Sequence, residues 1–322
     1  MLNPTELTEN LKREDSLFEG NSEWCKYRNL YNRTSNLEEL SFPIQLDFEL
    51  NSACNLKCKM CELGESTEKI SDQKLFDFDE FYSILSYSYK MGARAVKLNY
   101  INEPFLRKDI FKFIEAAHKI GILDIYLSTN GILLTKDVRT KIIESKLTRI
   151  QISIDASTSE VYDKIRIGGN YNSVVENVIA LVKERKSNTP VIRVNFVKTD
   201  INEHQKDEFI NFWKDKVDMI GIQEFITPPN NSGLVKSSTR ENKISSNFKC
   251  SFPFKQLVIT HDKKVLPCCT FWGRQMSMGL LESPEDLLLF WNNNFIKNLR
   301  KLHLEGRFDE IYECKNCLGG TE

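Results

Sequence analysis

Three cysteines in the first quarter of the chain are the residues best suited to chemistry. Cys54, Cys58 and Cys61 form a Cys-x3-Cys-x2-Cys motif directly after a strand-like run of alternating apolar and polar residues. At these spacings the three thiolates converge on one metal centre only if the chain loops tightly around it. Cysteine thiolates hold iron–sulfur clusters. Three of them on a four-iron cubane would leave one iron open to a substrate-like cofactor.

Two other roles for this motif need to be weighed. A zinc site usually pairs two Cys-x2-Cys units or adds histidines, and none of the four histidines lies near Cys61 in the sequence. A disulfide framework is disfavoured because nine cysteines are an odd number in a long chain whose N-terminus does not resemble a secretory leader. The spacing therefore favours a cluster over zinc.

A second group of cysteines lies near the C-terminus. Its members are Cys250, Cys268, Cys269, Cys314 and Cys317. Residues 256–267 predict a β-hairpin with its turn at 261–264, and residues 284–302 predict a helix. Two cysteine pairs that include one Cys-x2-Cys unit could also bind a structural zinc.

Alternating strands and helices must position both groups. Strand-like runs lie near 45–51, 95–100, 124–129, 149–155, 191–197 and 219–226. Amphipathic helical runs lie between them at 78–91, 110–120, 136–145, 173–186 and 203–216. Strands separated by helices in this way predict an α/β fold with a parallel sheet.

Each strand has one polar face. The polar positions that share a face are Asp47, Glu49 and Asn51; Lys97 and Asn99; Tyr126, Ser128 and Asn130; Gln151, Ser153 and Asp155; and Arg193 and Asn195. Successive side chains point to opposite faces, so the apolar partners meet the helices and the polar faces line the interior. This pattern predicts a cavity for a polar ligand. The alternative is a buried network in which the polar groups satisfy one another.

The first cysteine motif, placed after the first strand, resembles the signature of the radical S-adenosylmethionine (SAM) superfamily. The resemblance implies a partial (β/α)6 TIM-like barrel and a [4Fe-4S] cluster whose open iron is chelated by SAM. Reductive cleavage of SAM would then give a 5′-deoxyadenosyl radical that abstracts hydrogen from a substrate. The difficult chemistry belongs to the cofactor, and the protein supplies position and environment.

Four further segments resemble the SAM-binding motifs of this superfamily. They are Asn102-Glu103-Pro104 in place of Gly-Gly-Glu-Pro, the Ser128–Gly131 stretch, the strand end around Ser153 and Asp155, and the helix that ends at Arg166. Met60 stands where an aromatic residue is common beside the adenine. The resemblance implies that SAM is contacted by Met60, Asn102, Glu103, Ser128, Asn130, Ser153, Asp155 and Arg166.

The C-terminal cysteine group resembles the twitch domain, a short form of the SPASM domain. In that domain a hairpin and a helix carry one auxiliary [4Fe-4S] cluster with four cysteine ligands. The ligands implied here are Cys250, Cys268, Cys314 and Cys317, with Cys269 left over. The predicted organisation is an N-terminal helical segment (1–44), a barrel (45–227), a linker (228–247) and a small α+β iron–sulfur domain (248–322).

Within the superfamily, a single twitch cluster resembles that of the dehydrogenase acting on 2-deoxy-scyllo-inosamine. We therefore expect oxidation of a sugar or cyclitol hydroxyl, with the auxiliary cluster as electron acceptor. The candidate bases are Tyr126, Arg193, Glu224 and Glu49.

One alternative is modification of a ribosomally made peptide by epimerisation, a thioether bond or a carbon–carbon crosslink. For epimerisation, Cys269 or Cys25 could return a hydrogen atom. A zinc-binding interaction module is a third possibility, which leaves the ordered SAM motifs unexplained.

Composition narrows the set of partners. The net charge is −1, 41% of residues are hydrophobic, and no apolar run approaches transmembrane length. Such a balance gives no electrostatic field to recruit nucleic acid or an anionic membrane. We expect a cytoplasmic protein with a polar small-molecule or peptide substrate and a flavodoxin or ferredoxin as electron donor.

Overall fold

The computed structural model describes residues 5–10, 18, 20–67, 69–229, 235–236 and 249–317. Its strands are β1 (Thr5–Asn10), β2 (Gln45–Phe48), β3 (Ala95–Lys97), β4 (Asp124–Thr129), β5 (Arg149–Ser153), β6 (Val191–Lys198), β7 (Met219–Glu224), β8 (Gln256–Ile259) and β9 (Val265–Leu266). Its helices are α1 (Ser22–Ser35), α2 (Phe78–Met91), α3 (Ile110–Ile120), α4 (Lys136–Glu144), α5 (Ser159–Ile165), α6 (Tyr171–Glu184), α7 (Lys206–Trp213), α8 (Phe252–Lys255), α9 (Asp286–Asn292), α10 (Asn294–Glu305) and α11 (Tyr312–Cys317).

Among the described residues, one sheet runs in the order β1-β7-β6-β5-β4-β3-β2-β8-β9. Strands β2 to β7 are parallel neighbours in sequence order, so the predicted α/β fold with a parallel, partial-barrel sheet is confirmed. Strand β8 adds to β2 in parallel, and β9 pairs with β8 antiparallel. The hairpin of the C-terminal domain therefore extends the barrel sheet.

The apolar faces of the strands pack under the helices as their alternation predicts. Ile150, Ile152 and Ile154 are all buried in the main core. Helix α2 begins after Asp77, whose side chain accepts hydrogen bonds from the backbone N–H groups of Asp79 and Glu80. It ends at Gly92, where a backbone φ of 117° favours a residue without Cβ.

The polar faces divide into two zones. Toward the amino ends of the strands the side chains satisfy one another: Gln45 donates to Asp47 at 2.6 Å and to Tyr126 at 2.7 Å. Toward the carboxyl ends, Asn99, Ser128 and Ser153 line an open cavity. Both sequence interpretations therefore hold, each for one end of the barrel.

Two predicted elements differ in the structure. The helical segment expected over 1–44 is helical at Ser22–Ser35, whereas Thr5–Asn10 is a strand antiparallel to β7. An edge strand presents unpaired backbone groups, and β1 pairs with those of β7. The single helix expected at 284–302 is two, because Asn293 caps α10 by accepting from the Ile296 N–H at 2.8 Å.

Most of the expected linker, 228–247, lies outside the described residues. We keep the four segment boundaries given above as a proposal. No helix in the described ranges is both long enough and apolar enough to cross a bilayer.

Candidate active site

A cavity of about 340 Å³ opens at the carboxyl ends of the parallel strands. Its lining comes from the first cysteine loop, from the ends of β3 to β7 and from the segment after β9. Parallel α/β barrels place their active sites at this end. We refer to this space as the main cavity.

Cys54, Cys58 and Cys61 all line the main cavity, on the loop that follows β2. The loop turns tightly: the Cys61 N–H donates to the Cys58 carbonyl at 3.1 Å, and a 3₁₀ turn follows at Glu62–Glu65. Gly64 lies so close that an added Cβ would stand 2.2 Å from the Cys58 carbonyl oxygen. A side chain at position 64 would therefore clash with the backbone of the cysteine loop.

Two of these thiols accept hydrogen bonds. The Sγ of Cys54 accepts from the Leu56 N–H at 3.5 Å and from Asn130 Nδ2 at 3.8 Å. The Sγ of Cys58 accepts from Arg166 Nη1 at 3.7 Å. Burial raises the pKa of Cys54 to about 11 and that of Cys61 to about 12. Metal binding must therefore displace their protons.

Most of the predicted SAM contacts lie around the same space. The lining includes Met60, Asn102, Glu103, Ser128, Asn130, Ser153 and Arg166. Glu103 is the most constrained of them. Its carboxylate accepts from Thr129 Oγ1 at 2.7 Å and from the Asn130 N–H at 2.8 Å, and burial raises its pKa to about 7.

Asp155 is the exception among the predicted SAM contacts. It is fully buried and lies outside the lining of the main cavity. One carboxylate oxygen binds Arg166, and the other accepts from the Val197 N–H at 2.7 Å. Both of its oxygens are thus engaged within the protein, and a direct contact between Asp155 and SAM stays a prediction.

The candidate bases are not brought together. Glu224 lines the main cavity and pairs with Lys198. Tyr126 and Arg193 lie outside that lining: Tyr126 accepts from Gln45, and Arg193 donates to Asn195. Glu49 is also outside it, 1% exposed and paired with His261 and Arg274. The alternation of polar and apolar residues identifies the polar face of each strand. It does not say how far along the strand, from its amino end to its carboxyl end, the cavity begins.

The second cysteine group surrounds a separate, smaller cavity, which we call the auxiliary cavity. Cys250, Cys268, Cys314 and Cys317 line it together with His303, whose pKa burial lowers to about 4. An added Cβ on Gly273 would stand 2.4 Å from the Cys268 carbonyl oxygen and 3.2 Å from its Sγ. Cys269 lines the main cavity instead. The structure thus separates two cysteines that are adjacent in sequence.

Three residues line both cavities: Ile226, Phe252 and Thr270. Thr270 Oγ1 lies 3.5 Å from Cys268 Sγ, and the Thr270 carbonyl accepts from the hydroxyl of Tyr100. The sequence analysis assigns no role to Thr270 or Tyr100. The position of Thr270, directly after Cys269, is the sequence feature that could have indicated its place between the two cavities.

All nine cysteines are free thiols. Within the described ranges, no three His, Cys, Asp or Glu side chains converge closely enough to hold a single metal ion. Eight of the thiols line the two cavities instead: those of Cys54, Cys58, Cys61 and Cys269 in the main cavity, and those of Cys250, Cys268, Cys314 and Cys317 in the auxiliary cavity. Cysteine thiolates are the usual ligands of iron–sulfur clusters, so the donor sets fit such clusters.

Residues 48–212 match the Radical SAM superfamily, and residues 250–318 match an iron–sulfur cluster-binding domain, SPASM. A probable GTP 3′,8-cyclase of Methanococcus maripaludis is 34% identical over 173 residues, 54% of this chain and 56% of the relative. The chain thus spans little more than half the length of the curated relatives it matches.

Two solved structures share the fold. The structure of BtrN in complex with AdoMet and 2-DOIA has a TM-score of 0.55 at 19% identity, with 87% of this chain and 94% of BtrN covered. Streptococcus suis SuiB bound to the precursor peptide SuiA has a TM-score of 0.65 at 18% identity, with 84% and 69% covered. Identities this low show the fold alone.

The two matched domains imply a [4Fe-4S] cluster with SAM in the main cavity and an auxiliary iron–sulfur cluster in the second cavity. The thiols and the glycines packed against them fit both groups. The chain therefore belongs to the radical SAM superfamily, and it is a radical SAM enzyme with a C-terminal auxiliary-cluster domain.

Proposed function

We propose that this enzyme is a radical SAM oxidoreductase that oxidises a hydroxyl group of a polar small molecule, of the sugar or cyclitol class. The observation that carries the proposal is the wall shared by the two cavities, formed by Ile226, Phe252 and Thr270. A substrate in the main cavity would be one residue layer away from the auxiliary cluster. Such proximity suits removal of an electron from the substrate.

The lining of the main cavity supports a polar substrate. Beyond the cysteine loop it presents hydrogen-bonding side chains from successive strands, namely Asn99, Gln151, Ser153 and Gln223, together with the cationic Lys97. Ligand sites combine a mostly apolar wall with a few placed polar groups of this kind. Several converging amide and hydroxyl groups favour a ligand with several hydroxyls.

Glu224 is the proposed base. Of the four candidates from the sequence, it is the one whose side chain lines the main cavity. Its carboxylate pairs with Lys198, which fixes its orientation. A general base must come within hydrogen-bond reach of the proton it removes. Tyr126, Arg193 and Glu49 do not meet this condition for a ligand in the cavity.

When bound, SAM and its cluster supply hydrogen-atom abstraction, and the auxiliary cluster accepts the remaining electron. The residues of the chain therefore have to bind the alcohol and take one proton. A reducing compartment suits a chain with nine free thiols, seven of which are the proposed cluster ligands. We retain the cytoplasm as the proposed location and a flavodoxin or ferredoxin as the proposed electron donor.

The proposal can be tested with sugars and cyclitols deuterated at the carbon that bears the hydroxyl. The reconstituted enzyme is incubated anaerobically with SAM, reductant and each compound. We expect deuterium in 5′-deoxyadenosine and formation of a ketone from one of them. Deuterium transfer from peptides alone would contradict the proposal.

Substitution of Glu224 tests the assigned base. Glu224→Gln should lower ketone formation at least about 100-fold, the usual contribution of a general base, while deoxyadenosine still forms. Glu160→Gln on the exposed face of α5 is the matched control and should keep full activity. Ketone formation at the wild-type rate in Glu224→Gln would remove Glu224 from the mechanism.

Peptide modification is the second candidate, favoured by one observation. Cys269 lines the main cavity and not the auxiliary one. In the main cavity its thiol could return a hydrogen atom to a substrate. SuiB, which shares the fold, has been solved with its precursor peptide. Under this alternative, Cys269→Ala should abolish product without stopping hydrogen abstraction. Under the oxidoreductase proposal, the same substitution should be mild.

A further inference from the structure

Arg166 is held between a carboxylate and a cluster-binding thiol. Its Nε donates to Asp155 at 2.7 Å, and its Nη2 donates to the same oxygen. Its Nη1 points at the Sγ of Cys58, 3.7 Å away. The predicted role of Arg166, a contact with SAM, does not explain either of these interactions.

The backbone fixes Cys58 directly opposite Arg166. The residues on either side of Cys58 donate to the residues on either side of Arg166. The Lys57 N–H donates to the Ile167 carbonyl at 2.9 Å, and the Lys59 N–H donates to the Ile165 carbonyl at 3.1 Å. These main-chain bonds therefore fix the backbone of Cys58 opposite that of Arg166.

Asp155 is itself immobilised. It accepts from the Val197 N–H through its second oxygen, and its own carbonyl accepts from Asn202 Nδ2 at 2.8 Å. Its backbone φ is 62°, in the left-handed region where Asp is tolerated better than most residues. This scaffold holds a buried carboxylate in place, and the carboxylate in turn holds the guanidinium at Cys58.

A fixed cation beside a cluster ligand has a defined electronic effect. The reduction potential of an iron–sulfur cluster depends on its net charge and on hydrogen bonds to its sulfurs. Residues that contact the metal ligands also change this potential. A guanidinium stays charged at any working pH. It stabilises the reduced cluster, which carries one more negative charge than the oxidised form.

We propose that Arg166 is a positioning residue that raises the reduction potential of the SAM-binding cluster through its contact with Cys58, and that Asp155 limits this effect by neutralising part of the charge. The inference depends on the superfamily assignment and is independent of the substrate. It gives Asp155 and Arg166 one joint function, and it explains why the carboxylate lies behind the guanidinium and outside the cavity.

The test is an EPR-monitored redox titration of the reconstituted enzyme and its variants, following the signal that changes when SAM is added. Removal of the cation in Arg166→Met should lower the ratio of reduced to oxidised cluster at a fixed potential about tenfold, which is 59 mV for a one-electron couple. Asp155→Asn should shift the potential the opposite way, because Asn can still accept from Val197 while the guanidinium is left uncompensated. Arg166→Lys, which keeps the charge, should fall between wild type and Arg166→Met.

Opposite shifts in the two variants are the signature of electronic tuning. A merely structural pair would give the same direction in both variants, or no shift, and either result would overturn the proposal. An unchanged potential in Arg166→Met with weaker SAM binding would assign Arg166 to the SAM carboxylate instead. Iron content is measured in each variant. If Arg166→Met fails to hold a cluster, Arg166→Lys and Asp155→Asn still show the direction in which the reduction potential shifts.

Discussion

Arg274 lies in the segment after β9 and links that segment to both ends of the first cysteine loop. Removal of the Arg274 side chain should therefore destabilise the protein. Its Nη2 donates to Glu49, which precedes the loop, and its Nε lies 3.9 Å from Glu62, which follows Cys61. Glu49 is 1% exposed, and its other oxygen lies 2.8 Å from His261 Nδ1. Arg274→Met would leave this buried carboxylate with His261 as its remaining side-chain partner.

Breaking a buried ion pair by removing one partner costs about 3–5 kcal/mol. The side chain of Arg274 is 29% exposed, so water can reach the gap and the lower end of that range applies. The unfolding entropy of 322 residues is about 0.7 kcal/mol/K. A loss of about 3 kcal/mol therefore lowers Tm by about 4 °C.

Thermal unfolding of the anaerobic holoenzyme, followed by tryptophan fluorescence, measures this shift. Arg307→Met is the matched control because that arginine pairs with Glu305 and Glu310 at the surface, where ion pairs contribute little. Glu49→Gln should rescue part of the loss in the double variant with Arg274→Met, since no unpaired charge remains. The reasoning would be refuted if Arg274→Met behaved like Arg307→Met, or if the double variant showed the sum of both single losses.

Three further outcomes are expected. Cys268→Ala should halve the iron content of the reconstituted protein, whereas Cys269→Ala should leave it unchanged, because the two thiols face different cavities; equal iron in both would contradict that separation. Burial raises the pKa of Asp47 from 3.8 to about 6, so stability that is present below about pH 4 is lost as pH rises through 6. Urea unfolding should show Asp47→Asn more stable than wild type by about 3 kcal/mol at pH 7 and not at pH 4; a gain at both would refute the burial argument. Cys58→Ala should abolish formation of 5′-deoxyadenosine, and retained formation would remove Cys58 from the SAM-binding cluster.

The sequence predicts the local parts of this site well. Spacing alone grouped Cys54, Cys58 and Cys61, and the structure places all three around one cavity. Alternation along each strand predicted a polar interior, because side chains on one face of a strand recur at every second residue. Both signals are short-range, and both depend on geometry that a few residues determine.

The parts that were missed depend on contacts between distant segments. Periodicity assigns a residue to a face but not to a height, so Tyr126 and Arg193 were grouped with residues that lie at the other end of the barrel. The pairing of Asp155 with Arg166 joins the two ends of the segment that contains α5. The link from Arg274 to Glu49 joins positions 225 residues apart in the sequence. No local pattern carries such information.

The central claim is that this chain holds two iron–sulfur clusters, one of which works with SAM. The most direct test is to measure iron, sulfide and zinc after anaerobic reconstitution, together with an assay for 5′-deoxyadenosine in the presence of SAM and dithionite. We predict about eight irons for two four-iron clusters, with deoxyadenosine formed. Zinc in place of iron, with no deoxyadenosine, would contradict the account and leave a structural metal protein.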